Sequence, residues 1–269
     1  MIYNIKTHGY VPKKILRRRN PMKLFITSSP FVDGADRAIM DPQNGLIKRL
    51  KQALPPYCRC LYICSSPDRR DLNCSFGADV FQIFAQEGMP FSHYAVLDGE
   101  NFYEAKKLVG ESDLIVLAGG HVPTQNAFFH KIHLPELLRE YDGVVMGISA
   151  GSMNMAEIVY AQPEEPGESS PDYERFLPGL GLTDINILPH YQKVMDYRVD
   201  GLHLFRDITF PDSMGRCFFA LPDGSYIYQD EEKQLLCGKG YSVIDGVMEL
   251  INDNEETLDL NEDNDEDRE

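Results

Sequence analysis

Ser149 stands between two glycines in Gly147-Ile148-Ser149-Ala150-Gly151, after the apolar run Val144-Val145-Met146 and ahead of a helix-compatible run through Glu157. A strand, a sharp turn and a helix in that order form a nucleophile elbow. Glycines suit it, because the turn crowds backbone and side chains together. Ser149 then projects from the carboxyl end of its strand. The Ala150 amide, at the helix start, faces negative charge developing on a bound carbonyl. The preceding apolar run, Leu114 to Leu117, ends in Ala118-Gly119-Gly120-His121, which makes the Gly120 amide a candidate second oxyanion donor. A base is offered by His190, which directly follows Pro189 at the end of the strand-like run Ile185 to Leu188. Six other histidines compete, and His190 is preferred by position alone, after the serine and an acidic loop. Taken singly, each pattern also fits a tight turn or a packed ring.

The elements that must hold these residues alternate from Met22 onward as β-α-β units. Strands are expected at Leu24–Thr27, Cys60–Cys64, Tyr94–Leu97, Leu114–Leu117 and Val144–Ile148. Helices are expected over 42–53, 72–86 and 103–109, with another beginning near Val122 or Pro123. This is an α/β fold with a mostly parallel, doubly wound sheet, in which ligands sit beyond the carboxyl ends of the strands. Both Gly120 and Ser149 fall at such ends. Further on, Cys217 to Tyr228 reads as two strands joined by a Pro222-Asp223-Gly224 hairpin turn, and Leu235 to Ile251 adds short strands, giving a C-terminal β-hairpin region.

Charge divides the chain of 269 residues, whose net charge is −16, into three parts. Residues 1–21 carry six basic and no acidic side chains and are expected to be a disordered extension, with Met22 the start of the folded domain and a candidate true start. Residues 22–251 form a single domain. Residues 252–269 hold ten acids and almost nothing apolar, and are expected to be a disordered tail. The acidic body argues against nucleic acid as a partner. No apolar run approaches the roughly 18 residues that span a bilayer, so no membrane partner is expected. Six cysteines without a C-x-x-C pair, and the lack of a secretory apolar segment at the start, point to a reduced, cytoplasmic setting without zinc.

Three stretches together resemble the serine peptidases of the dipeptidase E and cyanophycinase type, whose α/β fold is related to that of glutamine amidotransferases. They are Ala118-Gly119-Gly120-His121 with Pro123-Thr124-Gln125-Asn126, the turn around Ser149 with Asn154 beyond it, and Leu188-Pro189-His190-Tyr191. Leu221-Pro222-Asp223-Gly224 also looks like the family's C-terminal part. The resemblance covers about residues 22 to 250. It implies Ser149 as nucleophile, His190 as base, and the Gly120 and Ala150 amides as oxyanion hole. It implies an acid in the loop after the elbow helix, where Glu164 lies nearest, with Glu165 and Glu168 close by. The implied substrate is a small peptide, with an aspartyl dipeptide as one candidate. Two departures bear on specificity: His121 stands where dipeptidase E has asparagine, and no basic residue can be assigned to an aspartyl side chain. No metal or cofactor is required, and a monomer or homodimer is expected. Serine rather than cysteine at the turn disfavours an amidotransferase. A serine esterase, or a catalytically silent binding module on the same fold, are the alternatives.

Overall fold

The computed structural model describes residues 22–32, 39–253 and 257–261; the basic segment 1–21 lies outside them. Five strands build the parallel part of the main sheet: β1 (Lys23–Thr27), β2 (Arg59–Ile63), β3 (His93–Leu97), β4 (Leu114–Leu117) and β5 (Val144–Ile148). They lie in the order β1-β5-β4-β2-β3, each parallel to its neighbour. Helices α1 (Leu46–Ala53), α2 (Arg70–Gln86), α3 (Ala105–Gly110), α4 (Val122–Lys131) and α5 (Leu134–Leu138) connect them, and α6 (Ala150–Met153) follows β5. Burial explains the continuous apolar runs. All four residues of β4 are fully buried, as are Phe25 and Ile26 of β1, because helices cover the sheet.

The later strands are β6 (Ile158–Tyr160), β7 (Phe176–Pro178), β8 (Ile187–Leu188), β9 (Arg198–Val199), β10 (Leu202–His203), β11 (Cys217–Ala220), β12 (Tyr226–Gln229), β13 (Gln234–Cys237), β14 (Gly240–Ile244), β15 (Val247–Asn252) and β16 (Leu258–Asp259); a one-turn helix α7 (Tyr191–Val194) follows β8. β12, β13 and β16 extend the main sheet antiparallel beyond β1. A second sheet has the order β15-β14-β11-β8, with β11 parallel to β8. Beneath it lies a separate apolar cluster that includes Tyr160, Leu188, Phe205 and Phe218.

Three expectations are corrected. The run after Ser149 stays helical only to Met153, because residues 179–183 capture the backbone beyond it: Leu180 N donates to Asn154 O (2.9 Å), Leu182 N to Met155 O (2.9 Å) and Glu157 N to Thr183 O (2.8 Å). Second, the strands flanking Pro222-Asp223-Gly224 do not pair with each other. β11 belongs to the second sheet and β12 to the main one, so the turn crosses between sheets, while the antiparallel hairpins are β12–β13 and β14–β15. Third, the acidic tail contributes an edge strand. Leu258 pairs opposite Leu236 and, with Leu260, packs on the core; residues 254–256 and 262–269 lie outside the described residues. Among the described residues no helix is long and apolar enough to cross a membrane, and the six cysteines are unpaired.

Candidate active site

Parallel pairing brings the ends of β1, β5 and β4 to one edge of the sheet, and the site is built there. Ser149 is forced into φ 51°, ψ −110°, a strained conformation for a residue with a side chain. Its N–H is shared between Thr27 O (3.1 Å) and Ser28 O (2.9 Å) at the end of β1. The flanking glycines have distinct reasons. A Cβ on Gly147 would lie 2.5 Å from the Ser152 backbone, and one on Gly151 would lie 2.3 Å from Leu117 O. Neither neighbour can yield, so α6 fits against β5 and β4 only without those side chains.

The Gly119–Gly120 turn abuts Ser149: a Cβ on Gly119 would come 3.7 Å from the Ser149 Cβ. Gly120 has φ 149°, and a Cβ there would meet Ser65 Oγ at 2.3 Å. Among the described residues no acceptor meets the amides of Gly120 or Ala150. A buried amide network locks the two turns together. Asn126 Nδ2 donates to Asn154 Oδ1 (3.0 Å), Asn154 Nδ2 to Gln125 Oε1 (3.1 Å), and Gln125 Nε2 to Ala118 O (2.7 Å). The Gln125, Asn126 and Asn154 of the sequence motifs are therefore fixtures of the turns.

His190 sits beside the serine, its Nε2 2.8 Å from Ser149 Oγ. It adopts a left-handed backbone conformation (φ 57°) and its N–H donates to Ser28 Oγ (2.8 Å). The carboxylate at its other nitrogen is Asp223, whose Oδ1 lies 2.6 Å from Nδ1. Since an ionised carboxylate only accepts, Nδ1 carries the proton and Nε2 is left to accept from the serine. Asp223 also accepts from Ser28 Oγ (3.0 Å) and pairs with Lys193 Nζ (2.8 Å). Only 7% of its side chain is exposed. Burial works against its charge, but hydrogen bonds from His190 and Lys193 prevail and hold its carboxyl well below the ordinary range. The topology explains the meeting. β8 and β11 are parallel neighbours, so His190 and Asp223, each just past its strand, emerge at the same end.

Glu164, the acid chosen from sequence, does not occupy that position. It lines a cleft of about 300 Å³ with Ser149 and His190, and the place at His190 Nδ1 belongs to Asp223. The residue as a whole is exposed. Surrounding protein atoms nonetheless take water from its carboxyl and raise its pKa to about 7; His121 and His190 pull it down, while Glu168 and Glu165 push it up. Glu168 is a clamp: its Oε2 accepts from the N–H groups of Glu164 (2.7 Å) and Glu165 (2.9 Å), and its Oε1 lies 2.7 Å from His121 Nε2. Burial notwithstanding, these bonds keep the Glu168 carboxyl below its ordinary pKa. His121, Glu165 and Glu168 also place ligand atoms within 4.8 Å of one another, the one such group among the described residues. Both ring nitrogens of His121 are hydrogen-bonded, to Thr124 and to Glu168.

Sequence reasoning missed Asp223 and Ser28. Asp223 reads in sequence as a turn residue, and Ser28 merely follows the first strand; neither carries a local mark of its contacts.

The family model of peptidase family S51 matches residues 73–236. Among solved structures, a crystal structure of a candidate peptidase E from Listeria monocytogenes EGD-e is similar over 87% of this chain and 99% of its own, at a TM-score of 0.52 and 14% identity. Similarity at that identity speaks to the fold. No curated protein matches the sequence.

Proposed function

As the chain belongs to peptidase family S51, and is thereby a serine-type peptidase, we propose that Ser149, His190 and Asp223 are its catalytic triad and that it hydrolyses small peptides. The observation that carries this reading is the unbroken relay from Ser149 Oγ through both nitrogens of His190 to a buried carboxylate, at 2.8 and 2.6 Å. The strained turn at Ser149 is then a nucleophile elbow.

The steps follow from the atoms. Ser149 Oγ attacks the scissile carbonyl carbon while His190 Nε2 takes its proton. Asp223 keeps the ring in the right tautomer and balances the imidazolium. Negative charge on the carbonyl oxygen meets the unengaged amides of Gly120 and Ala150. As the tetrahedral species collapses, Nε2 returns the proton to the departing amine and an acyl-serine remains. Water, deprotonated by the same nitrogen, attacks the ester and frees Ser149. A cleft near 300 Å³ is at the small end of ligand pockets, which favours a substrate of a few residues.

The test is hydrolysis of a panel of aminoacyl and dipeptide substrates, with fluorophosphonate labelling, by the wild type and Ser149→Ala in parallel. Turnover and labelling that both vanish in the variant support the proposal. Turnover that survives the substitution removes Ser149 as the nucleophile and refutes the triad; a wild type that neither labels nor hydrolyses refutes the peptidase reading and returns the silent binding module.

A further inference from the structure

Resting on the peptidase reading above, we propose that Glu164 is a specificity-determining residue, and that the preferred substrates present a cationic group, an ammonium or a guanidinium, next to the scissile bond.

The cleft beside Ser149 and His190 is walled by apolar side chains, among them Met153, Val194 and Leu204. No lysine or arginine lines it among the described residues, and its one carboxylate is Glu164. That carboxylate has no ion pair and accepts no hydrogen bond from any described residue. Yet the backbone beneath it is fixed. Glu168 holds the N–H groups of Glu164 and Glu165, Tyr197 Oη lies 3.4 Å from Glu164 O, and His121 anchors Glu168 from the glycine turn. The protein therefore builds a held mount for a carboxylate and, among the described residues that line the cleft, supplies no lysine or arginine to it.

Such an arrangement leaves the neutralising charge to the ligand. A carboxylate that has already lost part of its water gains more from a bound cation than one on an open surface. The raised pKa of Glu164 is the same fact seen as proton affinity. An aspartyl side chain in this cleft would instead face a like charge, with no lysine or arginine among the described lining residues to balance it. The departure at His121 acquires a purpose, since its ring reaches Glu168 and sets the loop on which Glu164 stands.

Two sources share the required chemistry: the free α-ammonium of an N-terminal residue, and a lysyl or arginyl side chain. The experiment compares wild type with Glu164→Gln on lysyl, leucyl and aspartyl peptides and on their N-acetylated forms, reading kcat and KM separately. Fluorophosphonate labelling of Ser149 in both proteins checks that the site is assembled. The expected result is that the ratio of kcat/KM for the cationic substrate over the N-acetyl-leucyl one falls ~10-fold to ~100-fold in Glu164→Gln, mostly through KM, as loss of one charged hydrogen bond predicts. If the ratio for leucyl peptides falls and acetylation abolishes the difference, the cation is the α-ammonium. If N-acetyl-lysyl peptides keep the dependence, it is the side chain. A variant that affects all substrates equally or none, a wild type that labels but turns over no cationic peptide, or one that prefers aspartyl peptides overturns the proposal. Failure of the peptidase reading shows elsewhere, as turnover that persists in Ser149→Ala.

Discussion

Replacing Asp223 with asparagine separates the two candidate acids. The carboxylate receives donors on both oxygens: His190 Nδ1 and Ser28 Oγ at Oδ1, and Lys193 Nζ at Oδ2. An asparagine must turn its NH₂ toward one side. Turned toward His190, it meets the Nδ1 proton and drives the ring to the wrong tautomer, which in serine peptidases costs ~10⁴-fold. Turned toward Lys193, it keeps the tautomer, because Lys193 is 46% exposed and can swing into solvent. The loss is then the charge that balances the imidazolium. Two unit charges about 4 Å apart at an effective dielectric of about 20 interact by ~4 kcal/mol, or ~10³-fold in rate. Asp223→Asn should therefore lower kcat/KM by ~10³-fold to ~10⁴-fold and slow fluorophosphonate labelling in parallel, with thermal unfolding showing a folded protein. A loss of less than ~10-fold, with a far larger one in Glu164→Gln on an uncharged substrate, would refute the reasoning and restore Glu164 as the partner of His190.

Further outcomes follow from the same geometry. Gly120→Ala must place a Cβ 2.3 Å from Ser65 Oγ at φ 149°, which swings the amide away; kcat should fall ~100-fold with KM less affected, and an unchanged kcat would remove Gly120 from the oxyanion hole. Gly151→Ala drives a Cβ to 2.3 Å from the carbonyl of Leu117 and should destabilise the fold by about 3 kcal/mol in denaturant unfolding; a midpoint equal to wild type contradicts the packing described. Glu164, with its pKa raised to about 7 by burial, is neutral below that pH and charged above it. The groups that face it are His121, His190, Glu165, Glu168 and Tyr173. The kcat/KM of a cationic peptide relative to an uncharged one should thus rise through about pH 7, a ratio in which the titration of His190 cancels; a flat ratio speaks against Glu164 reading the cation.

What the sequence disclosed and what it hid divide along the distance over which each feature is determined. The turns at Gly120 and Ser149 were legible because strand, glycine and helix follow within a few residues, and local crowding alone dictates small residues there. The parallel strands were legible for a similar reason, since burial on both faces leaves an uninterrupted apolar run such as Leu114–Leu117. Pro222-Asp223-Gly224 misled by the same local logic. Its turn chemistry is that of a hairpin, and nothing within reach of the turn tells whether the flanking strands will pair with each other or with β1, β13, β8 and β14. The pairing is decided by partners far along the chain, and with it the position of Asp223, 33 residues from the histidine it meets. Ser28 is hidden more deeply, 162 residues from His190 and 195 from Asp223, yet its hydroxyl touches both. The early end of α6 belongs with them, being imposed by residues 179–183 rather than by any breaker after Met153. The acid sought near the serine in sequence, Glu164, lies near it in space and lines the same cleft, while the carboxylate at His190 Nδ1 is Asp223. In the proposed reading, Glu164 is then the one carboxylate among the described residues that line the cleft.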